Sequence, residues 1–425
     1  MKPYRSGGGP SVTIPIPPSK SLTHRALVAA ALADGRSRII DPLLCEDTMH
    51  TVNGLRTLGV PVDLREGEII VQGTGGRFPA RSDPSTLFLG NSGTSFRFLL
   101  AVSALGSGQH LLTGARRMLE RPIGGLCLGL EGLGARISFP ATSGFPPVLV
   151  RSRGLSGGKI RMAGDRSSQF VSALLLAAPC ASGNVEIEVT GDLVSRHYVD
   201  LTTAVMGRFG VEVLREGYRY FRVSAPRPYR AGDFRIEGDA SSASYFWAGA
   251  AVSGASVTTA NIDPRLTHQG DIGFLGILEE MGCSVERGTD RVTVRGGRLR
   301  AVEADMSCMP DMVPTLAAVA LFAEGKTVIR NVPHLRFKES DRLRAVAMEW
   351  KRLGGEVEES RDGLAIAGKR PLRPAKISSH DDHRIAMSLA VVGLMLPGLR
   401  IAGARCVDKS YPGFWDAWHA FRTGS

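Results

Sequence analysis

The stretch Pro17-Pro18-Ser19-Lys20-Ser21-Leu22-Thr23-His24-Arg25 brings a lysine, an arginine and several hydroxyls to the start of a predicted helix that continues Ala26-Leu27-Val28-Ala29-Ala30-Ala31-Leu32. Free backbone N–H groups, the positive end of the helix dipole and short hydroxyl caps favour a phosphate or carboxylate at such a place. A capped helix with solvated Lys20 and Arg25 would carry the same letters. Similar polar clusters, each followed by small apolar residues, recur at Asn91-Ser92-Gly93-Thr94-Ser95, Asp165-Arg166-Ser167-Ser168-Gln169, Asp239-Ala240-Ser241-Ser242, Pro310-Asp311 and His380-Asp381-Asp382-His383-Arg384. The segment Leu335-Arg336-Phe337-Lys338-Glu339-Ser340-Asp341-Arg342-Leu343 adds alternating acids and bases, which on a helix form a solvated, ion-paired face by default.

Other chemistries lack their signatures. There is no Gly-x-Gly-x-x-Gly at a strand-to-helix junction and no Gly-x-x-x-x-Gly-Lys-Ser/Thr, and Gly90-Asn91-Ser92-Gly93 lacks the spacing of a nucleophile elbow. His380, Asp381, Asp382 and His383 are possible metal ligands by type, but neighbours on one short turn converge poorly and no Glu-rich partner motif accompanies them, so no metal is expected.

The clusters lie roughly 71 to 76 residues apart, which makes the chain about six copies of one unit. A second series keeps the same beat: Leu58-Gly59-Val60-Pro61-Val62, Leu133-Gly134-Ala135-Arg136-Ile137, Phe209-Gly210-Val211-Glu212-Val213, Met281-Gly282-Cys283-Ser284-Val285 and Leu353-Gly354-Gly355-Glu356-Val357. Each reads as a helix closed by a left-handed glycine and followed by a short strand. Val62 to Leu64 with Ile69 to Val71, and Val285 to Arg287 with Val292 to Val294, read as hairpins. The unit is therefore mixed α/β, a buried helix near a hairpin. No clear hairpin follows Arg400, so the last copy is expected to be truncated.

At 425 residues, two domains of about three units each are the natural division. The segments Pro15 to Ser19 and Glu237-Gly238-Asp239 are the expected crossing points, with tight hinges. Met1 to Gly9 lacks the apolar core of a signal peptide, and the apolar runs near Leu174 to Ala178 and Leu316 to Ala323 are too short to span a membrane. The cysteines Cys45, Cys127, Cys180, Cys283, Cys308 and Cys406 are scattered with no Cys-x-x-Cys pair, which fits reduced thiols in the cytoplasm. A net charge of +11 and an isoelectric point near 9.6 raise nucleic acid as a partner. Aromatics at 6% and the lack of a Lys/Arg run or stacking motif argue instead for a cleft that collects small, multiply charged anions.

Taken with Glu120-Arg121-Pro122-Ile123-Gly124, Asp311, Arg384 and Cys406-Val407-Asp408-Lys409-Ser410, the Leu335 to Leu343 segment makes the chain resemble the 5-enolpyruvylshikimate-3-phosphate synthases, the enolpyruvyl transferases of the shikimate pathway. The resemblance runs from Pro17 to about Pro412. It implies two similar domains, each of three βαβαββ repeats with buried helices and sheets outside, an inside-out α/β barrel. The boundaries so implied are 19–237 and 238–425, the latter with the strand from 1–18, and the domains would close over their ligands.

The implied reaction transfers the enolpyruvyl group of phosphoenolpyruvate to the 5-hydroxyl of shikimate 3-phosphate and releases phosphate. By resemblance, Glu339 exchanges the proton with the methylene carbon, Asp311 orients and deprotonates the hydroxyl, and Lys20 bridges both substrates. Lys409 closes on the phosphoenolpyruvate side, where Arg121, Arg342 and Arg384 clamp phosphate and carboxylate, with Asn91, Gly93 and Gln169 lining the pocket. Shikimate 3-phosphate falls to Lys20, Ser21, Arg25, Ser167, Ser168, Gln169, Ser195, Asp311 and Lys338. Without the resemblance, Ser167, Ser168 and Asp311 read equally as helix caps and Ser195 as a loop serine.

No cofactor, nucleic acid or membrane is implied; a cytoplasmic monomer acting on two small substrates is. The chain departs from the family at His334, where Asn is frequent, and at Phe98, where a smaller residue can stand. With Gly93 retained, inhibition by glyphosate is expected. The sister family acting on UDP-N-acetylglucosamine typically has Lys-Asn where this chain has Lys20-Ser21, and a cysteine before its Arg-Pro where this chain has Met118-Leu119-Glu120.

Overall fold

The computed structural model describes residues 12–79 and 84–424. Met1 to Gly9, read above for a leader, and the first part of the 1–18 segment lie outside the described residues. The chain divides into two compact units, Ser19–Ile236 and a second made of Met1–Pro18 with Glu237–Ser425.

Each polar cluster opens a helix. Lys20–Leu32, Gly93–Ser103, Ser168–Ala177, Ala240–Ser253, Val313–Ala320 and His383–Met395 are apolar on nearly every face and almost wholly buried, as expected of helices inside a core rather than on a surface. Ser19, Ser92, Ser167, Asp239 and Asp382 cap five of them through their side chains. Before Val313–Ala320 stands a single 3₁₀ turn, Pro310–Met312, and no side chain caps it. Asp311 is therefore not a cap, and its carboxylate is directed elsewhere.

In the Ser19–Ile236 unit the first three of these helices pack on one another, and sheets cover them. Each sheet joins a parallel strand pair to an antiparallel hairpin. Ser85–Phe88 runs parallel to Ser107–Thr113, which pairs with Val148–Arg153 and, beyond it, Arg136–Ser138. Gly158–Ala163, Val185–Thr190, Tyr220–Val223 and Val213–Glu216 repeat the pattern. In the first repeat the parallel strand comes from the far end of the unit: Tyr229–Arg230 and Asp233–Arg235 lie along Ala33–Ile40. The expected hairpin forms there with Val62 opposite Val71 and Leu64 opposite Ile69.

The second unit builds the same sheet from Val12–Pro15, Ser256–Ala260, Arg291–Arg295 and Ser284–Gly288. It builds another from Glu303–Asp305, Lys326–Arg330, Leu364–Ala367 and Glu356–Glu359. Among the described residues its third sheet holds only Lys376–Ser378 and Arg400–Ala402, so the last repeat is truncated. Where a hairpin would lie, the chain forms a 3₁₀ turn, Ala404–Lys409, and the helix Phe414–Thr423. Aromatic side chains take over there: Phe414 and Trp418 stack on each other and pack with Phe246 and Phe421.

Gly59, Gly134, Gly210, Gly282 and Gly354 all close their helices with φ between +80° and +107°, a region that a side chain rarely enters. The default reading of alternating charge does not hold in one segment. Leu335 to Leu343 is not a helical face: a 3₁₀ turn over Pro333–Phe337 ends before Lys338, and Asp341 caps a new helix, Arg342–Arg352, by accepting from Arg344 N. The break turns Arg342 inward, where it is 1% exposed.

Candidate active site

In the unit containing Glu237–Ser425, the inward Arg342 sits among carboxylates. Its Nη1 donates to Asp311 Oδ1 at 2.8 Å, its Nη2 to Glu339 Oε2 at 2.8 Å and its Nε to Asp382 Oδ2 at 2.8 Å. Arg384 Nη2 donates to the other Asp311 oxygen at 2.8 Å. Lys338 Nζ lies 3.5 Å from Asp311 Oδ1, and Lys409 Nζ lies 3.9 Å from Glu339 Oε1. Six of the residues predicted from sequence, Asp311, Lys338, Glu339, Arg342, Arg384 and Lys409, thus form one contiguous cluster.

Burial pushes the Asp311 carboxyl up, but Arg384, Lys338 and Arg342 outweigh it and hold it well below the usual carboxylate range. Burial opposes charge on Arg342 too, and Asp382, Glu339 and Asp311 reverse that, raising it above an ordinary guanidinium. Four cations, Lys338, Arg342, Arg384 and Lys409, thus meet three carboxylates in surroundings where charge is weakly screened. Such a gathering of cations suits an anion, with the Asp311 carboxylate held ionised among them.

Asp382 was not among the residues assigned a role. Fully buried, it caps its helix by accepting from Arg384 N at 3.0 Å and accepts from Ser340 Oγ at 3.0 Å. A conventional cap reading would have found it, but not its grip on Arg342. Asp271 was missed as well: it accepts from Ser241 Oγ, which lies 3.4 Å from Arg384 Nη2. Burial, reinforced by Asp311, raises its carboxyl to about 6. His334 is buried and held to about 3, first by burial and then by Lys338 and Arg342, so it stands as a neutral ring at pH 7. His383 is buried beside Arg384. Among the described residues there is no group of three or more His, Cys, Asp or Glu placed to hold a metal ion.

In the Ser19–Ile236 unit, Lys20 Nζ lies 3.0 Å from Asp47 Oδ2. Asn91 offers its backbone and side-chain oxygens to Arg121 Nη1, at 3.1 and 3.4 Å. A Cβ on Gly93 would stand 2.5 Å from Arg121 Nη2 and 2.6 Å from Arg97 Nη1; only glycine lets both guanidiniums approach the helix start. Arg97 Nη1 donates to Gln169 Oε1 at 2.6 Å, and Gln169 Nε2 donates to Thr94 Oγ1 at 3.1 Å. Ser167 caps its helix at Gln169 N, Ser168 is buried, and Ser195 takes a left-handed φ of +54°.

Arg25 is buried, and each of its nitrogens has a protein acceptor: Thr202 Oγ1 at 2.8 Å, Ser21 O at 2.9 Å and Tyr198 O at 3.0 Å. Phe98 lies with its ring centroid 5.2 Å from that guanidinium, a cation–π contact that an aliphatic residue could not supply. Burial lowers Arg25 to about 10, so it remains charged at neutral pH.

A buried hydroxyl chain links three helix starts: His24 Nδ1 to Thr51 Oγ1 at 2.7 Å, Thr51 Oγ1 to Ser95 Oγ at 2.8 Å, and Ser95 Oγ to the Asp47 carbonyl at 2.9 Å. Asp47, Thr51 and Arg97 were missed as site residues. Thr51 and Asp47 sit in an ordinary helix, Glu46–Thr57, and nothing local marks their partners.

The sequence model of the family described as EPSP synthase (3-phosphoshikimate 1-carboxyvinyltransferase) matches residues 8–418. A protein of Methanoculleus marisnigri named 3-phosphoshikimate 1-carboxyvinyltransferase is 48% identical over 411 residues, covering 96% of this chain and 96% of that one. A protein of the same name from Syntrophobacter fumaroxidans is 46% identical over 417 residues, 98% of each chain. A solved structure of EPSP synthase from Acinetobacter baumannii is similar with a TM-score of 0.79 at 28% identity, over 97% of this chain and 96% of that one.

Proposed function

This chain belongs to the EPSP synthase family, and we propose that it transfers the enolpyruvyl group of phosphoenolpyruvate to the 5-hydroxyl of shikimate 3-phosphate, releasing phosphate. The observation that carries the reading to individual residues is the cluster in which Arg342 joins Asp311, Glu339 and Asp382 while Arg384 joins Asp311. Enolpyruvyl transfer needs a proton placed on the methylene carbon, an acceptor for the hydroxyl proton and cations for phosphate and carboxylate.

In the cluster, Glu339 is the group that gives the methylene carbon its proton and takes one back when phosphate leaves. Asp311 orients the 5-hydroxyl and accepts its proton. Held this low by Arg384, Lys338 and Arg342, its carboxylate is a weak base as it stands. Substrate phosphate and carboxylate compete for the same cations, and drawing them off Asp311 raises its basicity when the hydroxyl arrives. Arg342, Arg384 and Lys409 hold phosphoenolpyruvate, and Lys338 the shikimate phosphate ester. The planar fork of arginine suits paired contacts to carboxylate and phosphate.

By the family resemblance, Lys20 serves both substrates and assists the leaving phosphate, while Asn91, Gly93, Arg121 and Gln169 contribute to phosphoenolpyruvate. Ser21, Arg25, Ser167, Ser168, Gln169 and Ser195 take shikimate 3-phosphate. Free thiols at all six cysteines support a reducing, cytoplasmic setting, and the proposed working form is a monomer, which sedimentation would test. No helix of the described residues is long and apolar enough to cross a membrane.

Phosphate release is the test of the reaction. With phosphoenolpyruvate present, release is expected only on adding shikimate 3-phosphate. Release that depends instead on UDP-N-acetylglucosamine would overturn the reading.

A further inference from the structure

We propose that Glu349 and His380, which have no part in the chemistry above, brace the turn that carries Asp382, His383 and Arg384, and so act as positioning residues for the anion clamp; what the clamp holds rests on the enolpyruvyl transfer reading.

Glu349 is a fully buried carboxylate on the helix Arg342–Arg352. Its Oε1 accepts from His380 Nε2 at 2.8 Å, and its Oε2 from Ser378 N and Arg352 Nη1, each at 3.3 Å. Ser378 ends a strand, and its Oγ accepts from His380 N at 3.0 Å. Between that strand and the helix His383–Met395, both His380 and Asp381 are left-handed, with φ of +53° and +54°. Two successive non-glycine residues in that region persist only where the surroundings hold them.

One helix does the holding, at two points. Arg342 and Glu349 lie at i and i+7 of it, two turns apart on one face. Arg342 grips Asp382 through Nε at 2.8 Å and Nη2 at 3.3 Å, while Glu349 grips the start of the turn through His380. Asp382 N also donates to Ser379 O at 2.9 Å, closing the turn between the grips. Filling space alone would call for an apolar side chain at 349, because a buried carboxylate is favourable only with its donors in place. Here every donor but Arg352 comes from the turn or the strand that leads into it. Releasing His380 frees the turn at one end, and Arg384, three residues past the left-handed pair, loses its set direction toward Asp311.

His380 is partly exposed, so its variants are the tractable ones. His380→Gln keeps an amide nitrogen near the Nε2 position, and His380→Ala removes the donor. For His380→Ala the expected result is a KM for phosphoenolpyruvate raised at least about fivefold with the KM for shikimate 3-phosphate within about twofold of wild type; for His380→Gln, both values near wild type. In the ligand-free full chain, amide exchange over 379–385 is expected to quicken at least about tenfold in His380→Ala but not in His380→Gln.

Equal losses in the two variants, an equal rise in both KM values, or unchanged exchange in His380→Ala would each overturn the brace. A wild-type chain inactive with both substrates would sink the functional reading alone, and the exchange comparison would still decide the brace.

Discussion

Arg342 Nε and Asp382 Oδ2 stand 2.8 Å apart with both side chains almost fully withdrawn from solvent, at 1% and 0% exposure. Asp382 is at once the cap of one helix and the anchor of an arginine that begins another. Asp382→Ala takes away one of the three carboxylates that meet Arg342 and uncaps the helix, so it should destabilise the fold by about 2–4 kcal/mol, a charge-assisted hydrogen bond plus a cap. Asp382→Asn, which can still cap, should lose less. Urea denaturation of the two variants checks the order, and equal stabilities would contradict it.

Lys20 and Asp311 carry the most exposed claim about chemistry. Lys20→Met and Asp311→Ala should each lower kcat by about 10²–10⁴, the range for removing a positioned proton-transfer group. Far-ultraviolet circular dichroism should show both variants folded. A folded Lys20→Met variant with more than a tenth of wild-type kcat would remove Lys20 from the mechanism.

Gly93→Ala places a methyl group 2.5 Å from Arg121 Nη2, and the guanidinium, being the far end of a flexible side chain, is what must move. The KM for phosphoenolpyruvate should rise by about tenfold, equivalent to roughly 1.4 kcal/mol. Glyphosate should inhibit the wild type in competition with phosphoenolpyruvate and inhibit this variant less. Steady-state kinetics decide both points; full wild-type turnover in excess glyphosate would contradict the first.

Acid should weaken the fold before the ordinary carboxylate range is reached. His24 and His334 are each held to about 3, chiefly by burial, against 6.5 in the unfolded chain. The unfolded chain therefore takes up protons first, and stability falls as pH drops from 6.5 toward 3. Linkage gives a loss of about 2 kcal/mol per histidine at pH 5. Asp271, raised to about 6, acts the other way: its folded form binds the proton first and returns about 1 kcal/mol by pH 5. The net expectation is lower stability at pH 5 than at pH 7.5, with the difference reduced in His24→Asn. Denaturation midpoints that coincide at the two pH values would show these histidines to be readily protonated in the fold.

The repeat was legible because its markers are local. A hydroxyl or carboxylate cap and a left-handed glycine act within a few residues, so Ser19 to Asp382 and Gly59 to Gly354 reveal themselves by type and spacing. The sixth hairpin could be missed for the same reason that it is missing: no glycine-closed strand pair follows Arg400, and aromatic packing replaces it. Leu335 to Leu343 was legible only through the resemblance, because alternating charge by itself implies a solvated helix, whereas Asp341 starts the helix late and turns Arg342 inward. Asp47, Thr51 and Arg97 stayed hidden because their partners, Lys20, Ser95 and Gln169, lie on other helices, and pairings at such separation leave no periodic trace. Arg25 was marked for a ligand by its helix-start position, yet its nitrogens are met by Thr202, Ser21 and Tyr198.

The aromatic helix that stands in for the last hairpin has a spectroscopic consequence. Trp415 and Trp418 lie on it, and the other two tryptophans, Trp247 and Trp350, fall in the same Glu237–Ser425 segment. Intrinsic tryptophan emission is thus a reporter of one half of the chain and blind to Ser19–Ile236. An unfolding curve followed by emission and one followed by circular dichroism sample different populations of the same molecule, and any gap between their midpoints measures how independently the two halves come apart.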